Sequence, residues 1–431
     1  MEDQPTSASF GPAEGLPAVG FLGRYARLVR SNRNFRRLWL AQLVSETGDW
    51  FYSLAVYDLL YKMTHSGEAV AWAVIIQTLP WALMTPLAGP VVDRFSRRRL
   101  MIVTDILQGV VVLGLLSVHA RSQIWLIYLL LGLEIIFASF FEPARSALLP
   151  DLVSTEELLP ANALASATWS VALMMGAGLG GVVTFFLGRD VAVIANAASY
   201  FVSAMLVGRI VVSERHLAPA AKRAAVRSAA SLKEGLDYVL QRPKILTLLL
   251  AKMGTGLLGG SWVILVVYAE RIFPIAGHGV LVLGLLYAAR GVGSTIGPVA
   301  GDRLTRGVEA AMWRWMTASF FLGAAAFLAL SGAPTLTLAL VALLVASLAG
   351  SNIWVMSSTL LQVHTAQPLR GRVFALDFGV WMLTVSVSNY LVGVGLDRWG
   401  FSARELAAAL GLAMCLPGAM WWWASGRLSD L

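Results

Sequence analysis

Gly89-Pro90-Val91-Val92-Asp93-Arg94-Phe95-Ser96-Arg97-Arg98-Arg99 places one aspartate and four arginines between two long apolar runs. The pattern returns, loosened by one residue, as Gly297-Pro298-Val299-Ala300-Gly301-Asp302-Arg303-Leu304-Thr305-Arg306. Asp93 and Asp302 stand 209 positions apart in a chain of 431 residues, close to half its length. A second pair keeps almost the same offset: Ser146-Ala147-Leu148-Leu149 and Ser358-Thr359-Leu360-Leu361 are 212 positions apart. Two loops repeating in step across an apolar chain point to a duplicated membrane protein.

Composition agrees. The chain is 57% hydrophobic and 13% charged, with a mean hydropathy of +0.70, values that a water-soluble surface does not tolerate. The net charge of +8 does not indicate nucleic acid, because the bases sit in short loops between apolar spans, where they set orientation. One cysteine, Cys415, excludes a disulfide framework. His65, His119, His216, His278 and His364 are scattered without metal-ligand spacing, and no nucleophile constellation accompanies them. An enzyme, a metal and a cofactor are therefore not expected.

Stretches of about twenty apolar residues fall at 36–62, 69–92, 100–120, 124–142, 162–187 and 190–212, then at 244–270, 279–300, 309–331, 335–361, 372–396 and 402–424. These are twelve helices in two sets of six. The expected organisation is a disordered, basic tail at 1–33, a six-helix bundle at 34–212, a linker at 213–243, a second bundle at 244–424 and a short tail at 425–431. Within the linker, 231–241 can form an amphipathic surface helix. Arg24, Arg27, Arg30, Arg33, Arg36 and Arg37 share one side with Arg94, Arg97 to Arg99, Arg303, Arg306, Arg370 and Arg372. The positive-inside rule makes that side, and both termini, cytoplasmic.

These motifs resemble a family. Gly89-x-x-x-Asp93-Arg94-x-x-Arg97-Arg98 is similar to the loop signature between the second and third helices of the major facilitator superfamily. Asn34-Phe35-Arg36-Arg37-Leu38-Trp39, Ser45-x-x-Gly48-Asp49-Trp50, Pro143-Ala144-Arg145-Ser146-Ala147-Leu148-Leu149-Pro150-Asp151-Leu152, Asn196-Ala197-Ala198-Ser199-Tyr200 and Gly371-Arg372-Val373 resemble its bacterial branch of macrolide-efflux and enterobactin-exporter-type proteins. The resemblance implies an all-α fold of two pseudo-symmetric six-helix bundles. It also implies proton-driven export of a small molecule, by a monomer in the bacterial inner membrane among its lipids; the aromatic and Met side chains Trp50, Tyr57, Trp72, Trp81, Met174, Met175, Trp354 and Trp381 suit a hydrophobic or amphiphilic one.

The resemblance also gives the signature loop a task. Asp93 can accept hydrogen bonds from the free amides at a helix N-terminus; by analogy with the family that helix is the eleventh, at Gly371-Arg372. Gly89, Asp93, Arg94, Arg97 and Arg98 then form a cytoplasmic gate, with Glu142 as the expected partner of Arg97. Asp302 and Arg303 form its weaker second copy. Asp105 and Asp377, early in their spans, are expected in the same cytoplasmic charge cluster.

Ionisable residues deeper in the spans are costly in hydrocarbon unless they face protein or water. Asp49 and Asp58 lie nine residues apart, on opposite faces of one helix. Asp49 is assigned to the central cavity and Asp58 to the outer vestibule. Asp49 and Glu134 are candidate proton carriers, while Lys252 and Arg290 are candidate partners across the two halves. Gly176-Ala177-Gly178-Leu179-Gly180-Gly181 is a close-packing face similar to the exporter signature, with Ala177 where that pattern has proline. Gly254, Gly256, Gly259 and Gly260 let the seventh helix bend, and Trp421, Trp422 and Trp423 read as an interfacial anchor. Two other functions stay open at this level: a lipid or lysophospholipid flippase of the same fold, and a non-transporting membrane receptor or scaffold.

Overall fold

A computed structural model describes residues 21–154, 157–212, 231–366 and 369–428; within them the side chains at 21–24, 82, 85–87, 89, 90, 93, 159, 166, 231–233 and 425–428 lie outside the described set. The twelve expected spans are present as α1 (Arg33–Thr64), α2 (Gly67–Arg94), α3 (Arg97–Ser117), α4 (Ile124–Leu152), α5 (Leu158–Leu187), α6 (Arg189–Gly208), α7 (Pro243–Ile272), α8 (Val280–Thr305), α9 (Glu309–Ser331), α10 (Leu336–His364), α11 (Arg370–Asp397) and α12 (Ala403–Leu428). Among the described residues, α3 to α12 are each long and apolar enough to cross a membrane. Helix α1 has the length, at 32 residues, but carries Glu46, Asp49, Asp58 and Lys62.

Helix starts follow from local chemistry. The side chains of Asn32, Ser66 and Ser96 accept hydrogen bonds from the amides of Phe35, Ala69 and Arg99, at 2.9, 3.0 and 3.1 Å, satisfying donors that the helix itself cannot. The Phe95-Ser96 step is thus a tight turn that stops α2 and caps α3. Pro143 and Pro150 in α4, Pro298 in α8 and Pro417 in α12 lie within continuous helix, as membrane-spanning helices tolerate.

The apolar packing divides the molecule by height. At the end that holds the α1–α2 turn, the far end, one continuous core joins both sets of six: Tyr57 and Val70 share it with Val263, Leu283 and Leu406. At the end that holds the signature loop, the basic end, the core splits. Phe35, Met101 and Leu148 belong to one cluster, made by the first six helices. Ile245, Phe320 and Met356 belong to another, made by the last six. The two sets are therefore joined at the far end and part towards the basic end.

Helix α7 is interrupted where its glycines lie. An α-helical segment Pro243–Gly256 passes into a 3-10 turn Leu257–Gly260, resumes as Ser261–Val267 and ends in a π turn Tyr268–Ile272. Such a tightened mid-helix segment marks a hinge position. The glycines also admit α11: a β-carbon on Gly259 would sit 2.8 Å from Val385, and one on Gly260 would sit 2.6 Å from Val392. The expected linker helix spans Ser231–Leu240, and its Glu234 accepts a 2.6 Å bond from Arg372. Trp421 departs from the anchor reading. It is buried and stacked on Trp313 at 4.4 Å, whereas Trp422 and Trp423 are exposed.

Candidate functional site

Gly48 determines what the first helices can bring together. A β-carbon there would lie 2.5 Å from Asn196 Oδ1 and 2.9 Å from Ser199 Cβ, so only glycine lets α1 and α6 approach this closely. Two motifs far apart in sequence, around Gly48-Asp49 and Asn196 to Tyr200, are thus the two sides of one contact. Across it Tyr200 Oη lies 2.5 Å from Asp49 Oδ1 and 2.9 Å from Glu134 Oε1 on α4, while Tyr52 donates to Glu134 Oε2. Glu134 is buried and Asp49 is half-buried.

Proton counting constrains this cluster. A phenol carries one proton and can donate to only one of two carboxylates. Tyr200 touches both Asp49 and Glu134, so the second contact is a hydrogen bond only if that carboxyl supplies a proton of its own. The Asp49–Tyr200–Glu134 chain is fully hydrogen-bonded when one carboxyl carries a proton, and either acid can be its bearer. One turn nearer the basic end lies a second network: Arg145 binds Glu142 and, at 3.1 Å, Gln42, and Gln42 donates at 2.8 Å to Glu46. Sequence reading passed over Glu46, Gln42, Tyr52 and Arg145. Glu46 could have been found as an acid three residues before Asp49, on the same helical face.

The last six helices treat charge differently. Lys252 forms a buried ion pair with Asp377 and donates at 2.8 Å to Ser358, with its ammonium 4.1 Å from the Trp354 ring centre. Lys252 thus meets an acid of its own half, and neither Asp49 nor Glu134. Asp377 is correspondingly buried, not part of a surface charge cluster, and Asp105 is buried against α6 beside Ser203. Arg290, at mid-length in α8, has ring faces around it: Tyr287 at 5.2 Å and Trp262 at 6.0 Å. Asp58, on the face opposite Asp49, binds Lys62 at 2.9 Å close to Glu270 of α7.

Among the described residues, ion pairs at the basic end run within one half. Arg97 binds Asp151 at 3.1 Å and the Ala147 carbonyl at 2.8 Å; Glu142, its expected partner, is taken by Arg145, which stands one turn along the same helix. Arg98 donates to the carbonyls of Val207 and Gly208 at the end of α6. Arg94, Asp302, Arg303 and Gly371 are exposed. The expected contact of Asp93 with α11 lies outside the described residues.

At the far end the bonds cross between halves. Asp397, the last residue of α11, accepts from Ser66 Oγ at 2.5 Å and from the amides of Gly67 and Glu68 at 3.0 and 2.8 Å, capping the N-terminus of α2. Arg398 grips Glu68 at 2.7 and 3.0 Å, and Thr78 meets Ser386 at 2.8 Å deeper in the same seam. A sequence signal was available: Gly393-x-x-x-Asp397-Arg398-Trp399 repeats the Gly89-x-x-x-Asp93-Arg94-Phe95 pattern at the opposite end of the molecule.

Twelve membrane helices in two sets, joined at one end, parted at the other and carrying buried charges along the gap, are the architecture of a secondary transporter. A family model described as Major Facilitator Superfamily matches residues 38–387, and the chain belongs to that family. It is a multi-pass membrane transporter of a bacterial family and not an enzyme. It is 26% identical over 369 residues to the putative bacilysin exporter BacE of Bacillus subtilis (strain 168), covering 84% of this chain and 88% of that one. Similarity to the uncharacterized MFS-type transporter YfiS of the same organism is 28% over 227 residues, 52% of this chain and about half (53%) of that relative. Macrolide efflux protein A of Streptococcus pyogenes is 29% identical over 126 residues, 29% of this chain and 31% of that one. In fold the chain resembles a mutant of the nucleoside transporter NupG, with a TM-score of 0.71 at 11% identity over 90% of this chain and 98% of that one. It also resembles a bacterial homologue of the iron transporter ferroportin in an inward-facing state, with a TM-score of 0.68 at 17% identity over 91% and 98%.

Proposed function

We propose that this transporter exports a small hydrophobic or amphiphilic molecule in exchange for protons, from a bacterial inner membrane in which both termini are cytoplasmic. The observation that carries the proposal is the Asp49–Tyr200–Glu134 chain, whose contacts are all hydrogen bonds when one carboxyl deep in the first six helices takes up a proton. The exporter named among its relatives, matched along most of its length, supports the outward direction. With the basic end cytoplasmic, the Asp397–Ser66 seam closes the outside and the gap between the two cores opens inward. Alternating access then releases Asp397 from α2 and engages Asp93 with α11, one helix terminus being uncapped as its counterpart is capped. The two halves move as the bundles 34–212 and 244–424, with the α7 glycine segment as hinge.

Direction and sign follow. In the outward-open state substrate leaves and a proton from an acidic outside joins the chain; in the inward-open state that proton is released and the next substrate binds. In proteoliposomes holding a trapped pH dye, an inward proton gradient drives a preloaded fluorescent amphiphile outward, opposite to the proton flow. Glu134→Gln and Asp49→Asn abolish the gradient-driven part and leave gradient-free exchange. Flux indifferent to pH in the unmodified protein would sink proton coupling and leave a flippase as the reading.

A further inference from the structure

Among the described residues, Arg290 has no anion. Its Nη1 is buried without a hydrogen-bond partner, and the hydroxyl of Tyr287, three residues earlier on the same face of α8, is buried and equally unpartnered. The acids in the neighbouring helices have other partners: Asp377 has Lys252, Asp49 and Glu134 have Tyr200, Asp58 has Lys62, Glu46 has Gln42 and Glu270 has the Gly279 amide. Guanidinium stays charged at any working pH, so the cation cannot be relieved by losing its proton. An uncompensated buried charge is strongly unfavourable, and in a transporter the missing counter-charge can arrive with the cargo.

The surroundings specify the rest of the ligand. Trp50 lies 5.6 Å from Tyr287, 6.4 Å from Trp262 and 6.3 Å from Trp169, so rings from α1, α5, α7 and α8 converge beside the guanidinium from both halves of the molecule. The helices are close enough to hold these rings together because Gly291 backs directly onto Met174, where a β-carbon would meet main chain at 2.6 Å. Trp50 also adjoins Asp49 in sequence, placing the site next to the Asp49–Tyr200–Glu134 chain. Ring faces accept flat apolar groups, and two neighbouring orphan donors suit two oxygens of one oxyanion.

We propose that Arg290 and Tyr287, walled by Trp50, Trp262 and Trp169, bind the oxyanion of the carried molecule, so that the substrates are amphiphiles joining a carboxylate, sulfonate or phosphate to a flat apolar body. This deepens the exporter reading and rests on it only for the word carried. It is tested by equilibrium binding, with no gradient, so loss of proton-driven flux leaves it standing.

The full-length protein in phosphatidylcholine nanodiscs is titrated with 1-pyrenebutyrate and with its neutral counterpart 1-pyrenebutanol, reading energy transfer from tryptophan to pyrene and subtracting empty nanodiscs. The acid binds at least about tenfold more tightly than the alcohol, the scale of a charge-assisted contact. Arg290→Gln removes that preference, Tyr287→Phe reduces it, and Arg290→Lys keeps part of it. Thermal unfolding of each variant separates loss of the subsite from loss of the fold, and the comparison of acid with alcohol in the unmodified protein needs no variant. Adding phosphatidylglycerol identifies the source of the oxyanion: displacement of pyrenebutyrate that depends on Arg290 assigns it to a lipid headgroup, and no displacement assigns it to a soluble amphiphile. Equal binding of acid and alcohol, or a preference that survives Arg290→Gln, overturns the proposal.

Discussion

The two halves hold buried charge in opposite ways. In the first six helices Asp49 and Glu134 share hydroxyl partners, Tyr200 and Tyr52. In the last six, Lys252 is neutralised by Asp377 while Arg290 faces only rings. Phenols thus link the carboxyls of the first half, whereas opposite charges meet directly in the second. The duplication visible in the loops thus carries one half whose buried acids share hydroxyls and one half whose buried lysine is closed in an ion pair.

The strongest way to break this contrast is to open the ion pair. Lys252→Ala leaves Asp377 buried alone and lowers stability by about 3–5 kcal/mol, read as a fall in unfolding temperature in detergent. The double variant Lys252→Met, Asp377→Leu recovers most of that loss and keeps proton-driven flux. A double variant that is stable yet uncoupled would make the pair part of the proton path and erase the distinction. Gly48→Ala comes next. Its methyl collides with Asn196 and Ser199, costs about 1–3 kcal/mol as overpacking, and uncouples flux from pH by moving Tyr200 away from Asp49.

Tyr200→Phe sharpens the same comparison at smaller cost, about 1 kcal/mol of stability. It weakens the dependence of flux on the gradient without abolishing transport; a pH profile identical to the unmodified protein would show that the phenol does not bridge the acids. The smallest effect belongs to the far-end seam. Asp397→Ala removes the cap on α2, about 0.5–2 kcal/mol, and shifts the balance towards the outward-open state. Distances between spin labels on the ends of α2 and α11 would report the shift, and unchanged distances would remove Asp397 from the gate.

Much of this was legible in the sequence, and the illegible part has a pattern. The acids Asp49, Asp58 and Glu134 were found because a carboxyl in an apolar run is conspicuous whatever its neighbours. The opposed faces of Asp49 and Asp58 followed from helix periodicity, and one contacts α6 while the other reaches Lys62 near α7. Partners were the part that went astray. Arg97 was matched to Glu142, yet Arg145 stands one turn from Glu142 on the same helix and takes it first. Lys252 was matched across the gap, yet Asp377 is nearer within its own half.

By itself, the sequence determined the membrane class, the twelve spans, the duplication and the positions of the buried ionisable groups. Each of these depends on local transfer energy from water to lipid, which a single strand of residues already expresses. Only the tertiary structure decided that Tyr200 bridges Asp49 and Glu134, that Asp397 caps α2 and that Arg290 is left without an anion. Those outcomes depend on how helices more than a hundred residues apart rotate and lean on one another. Glycine contacts such as Gly48 against Asn196 set that geometry, and they cannot be read from hydropathy.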